Sequence, residues 1–364
     1  MNFEPTEERR MLAETLRRYL TDRYGPERAN AVAEAEAGLD PEIWTQMAEL
    51  GVVGALLPEE VGGFGGEGFD LATVFEELGR AGVVEPFLDT AVLAGGLVAD
   101  LGSDEQRALL DDVIAGGRHL ALAHGEPRSR YDLDRVETTA RDGHLSGRKA
   151  VVVNAEAASH LVVSAREGDG VSLFLVPCDA TGLTLNGYPL TGGGRAAEIA
   201  LDGAPGERLG PEGGALPAIE ARAAAGSVAL AAYALGAMEA ACEMTVGYLG
   251  QRQQFGRPLS AFQALQHRVA DMLIELEQAR SAVILAAGHL ADERISRERH
   301  VSAARHLVGR VGRLVAEESV QMHGGIGMTR EYALAHLVKR ITLSDHRLGD
   351  ADHHLERYLA LGAA

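Results

Sequence analysis

Two short strings in the last third of the chain carry residue types that could hold a nucleotide. Arg252-Gln253-Gln254-Phe255-Gly256, with Gln263 a few residues on, places a guanidinium at the end of what reads as a long helix. An arginine there can grip a diphosphate through two parallel N–H bonds, a geometry that lysine cannot match. Phe255 offers a face for a flat ring, and Gly256 lets the backbone approach a ligand. Taken alone, this string reads more simply as a solvated arginine and a core phenylalanine ending a helix. About seventy residues later comes Gln321-Met322-His323-Gly324-Gly325-Ile326-Gly327, also at a helix end.

Other chemistry-bearing residues have plainer readings. The loop Gly62-Gly63-Phe64-Gly65-Gly66-Glu67-Gly68 follows Leu57-Pro58-Glu59-Glu60, which does not form the strand that a dinucleotide fingerprint requires. In the tail, His346, Asp350, His353 and His354 include pairs at helical spacing that could meet around a metal. Gly349 interrupts that helix and no third-ligand pattern recurs, so solvated capping and surface charge is expected, with no metal site. Glu126 as an isolated acid, and the run Asp292 to Arg299 as an exposed helix connection, are read in the same way.

The elements that must position these residues fall into three segments. Residues 1–117 read as a helical domain. Met11, Leu12, Leu16 and Leu20 line one helix face, Pro41 to Leu50 and Leu71 to Leu78 repeat the pattern, and Ser103 is placed to cap another helix. Residues 118–207 read as a β-domain. Short apolar runs at 119–124, 150–154, 160–166 and 171–177 are bounded by Gly, Asp, Asn or Pro. Residues 208–364 return to helices at 212–250, 261–290, 296–323 and 330–343, which suggests an antiparallel four-helix bundle. The small residues of 221–241 suit close helix packing. The expected class is therefore mostly α with a central β-domain.

Composition narrows the function classes. At 364 residues the chain is long enough for two or three domains, and 46% hydrophobic with 24% charged residues is ordinary for a globular protein. A net charge of −19 argues against nucleic acid, which is held largely by Lys and Arg. Cys178 and Cys242 have no metal-like or redox-like spacing and fit a reducing cytoplasm. Met1 to Pro5 lacks the basic start and apolar stretch of a secretory signal. No run is read as reaching the ~18 apolar residues of a membrane span, so a soluble cytoplasmic protein is expected, with no membrane partner.

Together the two strings resemble the flavin-clamping motifs of the acyl-CoA dehydrogenase family, whose layout is also helical domain, β-domain and helical bundle. The glycine loop is similar to that family's Pro-Glu-x-x-Gly-Gly-x-Gly turn. The resemblance implies FAD shared across a subunit interface. Arg252, Phe255, Gln263, Gln321, Gly324 and Gly325 would grip the ADP half of a flavin held mainly by the neighbouring subunit. Where the family has Thr-Glu-Pro-Gly-x-Gly-Ser-Asp, this chain has Gly125-Glu126-Pro127-Arg128-Ser129-Arg130-Tyr131-Asp132. Val151-Val152-Val153 replaces the Trp-x-Thr strand that flanks the isoalloxazine. The family's two alternative positions for the catalytic Glu hold Leu348 and Gly226, and Ser227 stands where many members have Arg. Losing a positioned base costs ~10²–10⁴ in rate.

A retained clamp without base or cradle is expected of the non-catalytic subunit of a heteromeric α₂β₂ acyl-CoA dehydrogenase. Its partner would be a homologous subunit carrying the Glu, and its substrate an acyl-CoA thioester such as a steroid side-chain CoA. Three alternatives stand beside this. The chain could be a self-sufficient homo-oligomeric dehydrogenase with Asp345 or Asp350 as displaced base. It could also be a non-catalytic scaffold, or a flavin monooxygenase on the same fold.

Overall fold

The computed structural model describes residues 6–36 and 38–362. In chain order come α1 (Glu7–Arg23), α2 (Pro26–Glu34), α3 (Pro41–Glu49) and α4 (Gly68–Ala81). A π-helical stretch, Leu88–Gly95, runs into α5 (Gly96–Leu101), followed by α6 (Asp104–Arg107) and α7 (Leu109–Ile114). Eight strands follow: β1 (Leu120–Ala123), β2 (Thr139–Arg141), β3 (His144–Val153), β4 (His160–Glu167), β5 (Gly170–Pro177), β6 (Leu183–Pro189), β7 (Arg195–Pro205) and β8 (Glu207–Leu209). The chain then forms α8 (Leu216–Gln251), a small ladder of β9 (Gln253–Gln254) and β10 (Arg257–Pro258), and α9 (Gln263–Gly288). It ends with α10 (Arg294–His323), α11 (Ala333–His346) and α12 (Ala351–Gly362). This is the mostly helical class with a central sheet that the sequence predicts.

Two compact units form. One comprises Ala31–Glu67 and Val84–Gly226 and holds the sheet. The strand order is β6-β7-β3-β2-β4-β5-β8, with β1 parallel to β4. Apolar side chains on its strands, among them Leu145, Val163, Phe174, Val176 and Ile199, form a buried cluster. The Val-rich β4 and β5 are buried almost end to end. By contrast β6 and β7 read LTLNGYP and RAAEIALDGAP, with Gly, Asn and Ala where β-branched residues would announce a strand.

Glu126 departs from its expected solvated role. It is buried and faces Lys149, which has no exposed surface and donates from Nζ to Glu126 Oε1 at 2.7 Å. Lys149 also donates to Ser164 Oγ at 3.0 Å and to the His124 carbonyl at 3.3 Å. The carboxylate accepts further bonds from the Glu137 amide at 2.6 Å, the Thr138 amide at 3.0 Å and the Thr138 hydroxyl at 2.7 Å. Burial works to raise the Glu126 carboxyl, but the bonds from Lys149 and Thr138 outweigh it and hold it below its ordinary range. Burial brings Lys149 down to about 8, with Glu126 pulling the other way, so both groups are charged at neutral pH.

In the same unit the glycine loop spends its amides on its own turn. Phe64, Gly65 and Gly66 donate to the carbonyls of Gly54, Leu57 and Ala55. A Cβ on Gly63 would lie 2.1 Å from the Leu57 oxygen, so only glycine fits. A loop so folded has few donors to offer a phosphate.

Among the described residues, the second unit comprises those through Asn30, Gly68–Val83 and those from Ser227 onward. Here α4 crosses α8 backbone to backbone. A Cβ on Gly79 would lie 1.9 Å from the Tyr233 oxygen, and one on Gly236 would lie 1.9 Å from the Glu76 oxygen. Arg80 to Glu239 at 3.0 Å and Arg280 to Glu76 at 3.1 Å tie the same helices through charge. By length and composition α8 could cross a membrane, contrary to the expectation that no run would. However, 94% of its most apolar stretch is buried inside the protein, so its apolar faces are taken up by packing. The run 292–299 is an exposed connection only at its start, where Glu293 and Arg294 are exposed. Helix α10 begins at Arg294, and Glu298 is buried between Arg297 and Arg357.

Three histidines make stability sensitive to acid. Burial pushes His119 and His124 down to about 4 and His354 down to about 2, from an ordinary 6.5. Between pH 6.5 and 4 the unfolded imidazoles take up protons that the folded ones refuse, so stability falls as pH falls. Each contributes up to ~1.4 kcal/mol per pH unit. The thermal midpoint should drop steadily across this interval, and a flat midpoint would contradict the assignment.

Candidate cofactor-binding site

The first string forms a tight hairpin at the end of α8. The Arg252 amide still donates to the Tyr248 carbonyl at 2.9 Å, continuing the helix ladder by one residue. Then β9 and β10 pair around Phe255 and Gly256, both in the left-handed region with φ of 53° and 77°. Two successive positive φ values define the primed turn whose twist suits a two-residue hairpin. Glycine takes that conformation freely, whereas phenylalanine is strained in it. The Phe255 ring is 91% exposed, which overturns the reading of a core phenylalanine. Arg252, Gly256 and Gln263 are exposed with it.

The hairpin leads into the start of α9. Phe262 is the residue before the helix and supplies no side-chain cap, so the first-turn amides beginning at Gln263 are left without one. An uncapped helix N-terminus carries partial positive charge and suits an anionic group. The Arg257 guanidinium lies 4.0 Å above the Phe262 ring, and Phe255 meets that ring edge-on at 6.1 Å. The chain thus places a second cation over Phe262, on the same hairpin, that sequence reasoning did not single out.

The second string lies at the end of α10. Gln321 is exposed on its last turn, and Gly324 stops the helix at φ 65°, ψ −145°, a region essentially restricted to glycine. A Cβ on Gly324 or Gly325 would meet nothing within 4 Å, so the backbone here is openly approachable. Two contacts tie together the helices that carry the strings. Tyr248, one turn before Arg252, stacks on His323 at 4.5 Å, and Arg268 of α9 binds Glu318 of α10 at 2.5 Å. His323 donates from Nδ1 to the Ser319 carbonyl at 2.8 Å, leaving Nε2 to accept from the Tyr332 hydroxyl at 3.3 Å. Burial lowers the His323 pKa, in keeping with this neutral form.

Leu348 and Gly226, which the resemblance sets at the family's two base positions, carry no acid. Leu348 sits between α11 and α12 in the left-handed region, φ 56°, followed by Gly349 at φ 112°. The sequence reading missed what fixes this break. Arg305 of α10 is buried at 1% exposure and donates from Nη2 to the carbonyls of Ser344, Asp345, Arg347 and Gly349 at 2.8–3.2 Å. Gly226 and Ser227 are buried within α8. Asp350 caps α12, its Oδ1 accepting from the His353 amide at 2.9 Å, and His354 is buried against Ser302. Among the described residues, no group of three or more His, Cys, Asp or Glu gathers as metal ligands would.

In the sheet unit, the strand that carries Val151-Val152-Val153 is distorted. The β3–β7 register shifts between Lys149 and Val152, and Val151 is exposed at φ 53°, strained for a β-branched residue. The turn before it closes on itself. Ser129 Oγ accepts from the Glu126 amide at 2.9 Å and donates to the Glu126 carbonyl at 3.1 Å, so its hydroxyl is already used. Arg128 and Arg130 are exposed. The bundle therefore presents donors and an aromatic face suited to a nucleotide diphosphate, whereas Val151 and Val153 offer no side-chain donor to a flavin ring.

Comparison with known proteins fits this geometry. The model for the acyl-CoA dehydrogenase N-terminal domain matches residues 6–117, and that for the acyl-CoA dehydrogenase C-terminal domain matches residues 216–357. The chain belongs to the acyl-CoA dehydrogenase family, oxidoreductases whose cofactor is FAD. It is 32% identical to acyl-CoA dehydrogenase IpdE2 of Mycobacterium tuberculosis, over 92% of this chain and 91% of that protein. It is 29% identical to the probable acyl-CoA dehydrogenase YngJ of Bacillus subtilis, over 98% of each. Among solved structures, a chain of the Tcur3481–Tcur3483 steroid ACAD superposes with a TM-score of 0.89 at 34% identity, over 98% of each chain. The ChsE4–ChsE5 complex of Mycobacterium tuberculosis matches with a TM-score of 0.90 at 26% identity, over 100% of this chain and 99% of that one.

Proposed function

We propose that this chain is the non-catalytic subunit of a heteromeric acyl-CoA dehydrogenase. One observation carries the reading: an outward-facing clamp coexists with a leucine at the base position and a donor-poor valine strand. Arg252, Gln263 and Gln321 would hold the ADP half of an FAD whose ring is cradled by a homologous partner. Phe255 would cover the nucleotide, and the bare backbone of Gly324 and Gly325 would let it lie close. When bound, FAD accepts the hydride from the acyl Cβ. The α-proton would go to a glutamate on the partner. The likeness to the Tcur3481–Tcur3483 and ChsE4–ChsE5 assemblies supports a heteromer and favours a steroid-derived acyl-CoA as substrate.

Asp345 motivates a second reading, in which this chain carries its own base. Burial raises its carboxyl above the ordinary range despite the opposing pull of Arg305, and Oδ1 has no hydrogen-bond partner among the described residues. Packing argues against the role. A Cβ on Gly309 would lie 2.1 Å from Asp345 Oδ1, so the carboxylate faces the backbone of α10 with little room for an acyl chain. Asp345→Asn and Asp350→Asn should leave acyl-CoA-dependent reduction of an electron acceptor within a few-fold of wild type. Were either the base, turnover would fall by ~10²-fold or more with flavin still bound.

A further inference from the structure

A cavity of about 500 Å³ opens within the helical unit, among α1, the start of α2, α4, α8 and α11. Leu20, Ala240, Met244 and Leu337 give it apolar walls. Three guanidinium groups line it with two carboxylates. Arg17 is spent on Glu77 and Arg80 on Glu239 and Glu243, which leaves Arg340. Arg340 is 5% exposed, and its Nε and Nη2 have no hydrogen-bond partner among the described residues. Asn30 Oδ1, on the same cavity, is also buried without one. A buried cation lacking a counter-ion is costly, and an arginine offers carboxylate a two-pronged match. The volume is that of a small-molecule site.

We infer that this cavity binds a small organic monocarboxylate, its apolar body against Leu20, Met244 and Leu337 and its carboxylate on Arg340. Ligand entry turns the guanidinium edge toward the cavity, a rotation about the arginine's own side-chain torsions. The site uses none of the clamp residues and stands independently of the heteromer.

Isothermal titration of the full-length chain with octanoate, octanol and acetate tests it. Octanoate should bind at one site per chain, with octanol and acetate at least ~10-fold weaker, because each lacks one half of the recognition. Arg340→Met should weaken octanoate by about 10- to 150-fold, and Arg340→Lys by less. Arg340→Met should also unfold no more easily than wild type, since it removes an unpaired buried charge, whereas an arginine of purely structural value would make it less stable. Ala333→Phe, which narrows the cavity at the first turn of α11, should weaken octanoate too and gives an independent reading if the Arg340 variants fail to fold. Absence of octanoate binding, or binding unchanged in both Arg340→Met and Ala333→Phe, overturns the inference.

Discussion

In the assembled complex, Arg252→Ala is expected to bind FAD about 10- to 150-fold more weakly than wild type. A hydrogen bond between charged partners contributes roughly 1.5–3 kcal/mol, which converts to that range. The exposed Arg252 side chain, on a hairpin held in a strained turn, is free to reach a diphosphate without disturbing the bundle. Its replacement should therefore leave the thermal midpoint nearly unchanged while flavin content drops. Arg252→Lys should recover only part of the loss, because the fork of two parallel donors is gone. Flavin titration of the complex measures both. Full flavin occupancy in the alanine variant under limiting FAD would return Arg252 to an ordinary solvated residue.

A second large effect is expected in the sheet unit. Lys149→Met should destabilise that unit by about 3–5 kcal/mol, because it leaves the buried Glu126 carboxylate without its counter-ion. The amide and hydroxyl donors of Glu137 and Thr138 remain but carry no full charge. The double variant Lys149→Met with Glu126→Leu should be far less damaging than the single one, since it removes both charges together. Urea unfolding followed through the single tryptophan, Trp44, reports on this unit. Trp44 stacks on Phe87 at 4.7 Å and donates from Nε1 to the Gly116 carbonyl at 3.0 Å. A single variant as stable as wild type would show that the pair contributes nothing.

What the sequence made legible follows from local rules. Ser103 caps its helix with the predicted serine, and Gln106 answers it in a capping box. The spacing of Met11, Leu12, Leu16 and Leu20 marked one helix face, of which Leu16 and Leu20 are buried while Met11 is exposed. Gly236 bears out the expectation that the small residues of 221–241 suit close helix packing. What stayed hidden depends on partners far along the chain. Glu126 and Lys149 lie 23 residues apart, and nothing in either neighbourhood marks an ion pair. Arg305 sits on a helix with many arginines, and only the fold shows that it is the one gathering carbonyls 39 to 44 residues away. Phe255 was half legible. The Phe-Gly dipeptide could have suggested a turn, but pattern alone reveals neither the two positive φ values nor the exposure of the ring. In β6 and β7 the Ala and Gly content concealed strands that form by pairing, β7 with β3 and β6 with β7.

In the proposed heteromer this chain contributes a clamp to a flavin it does not hold alone. The most direct test is flavin absorbance per polypeptide, compared between the chain purified by itself and the chain purified with a Glu-bearing homologous partner. The account predicts little or no FAD on the lone chain and, in the complex, one FAD for each partner subunit. Stoichiometric FAD on the lone chain would contradict it.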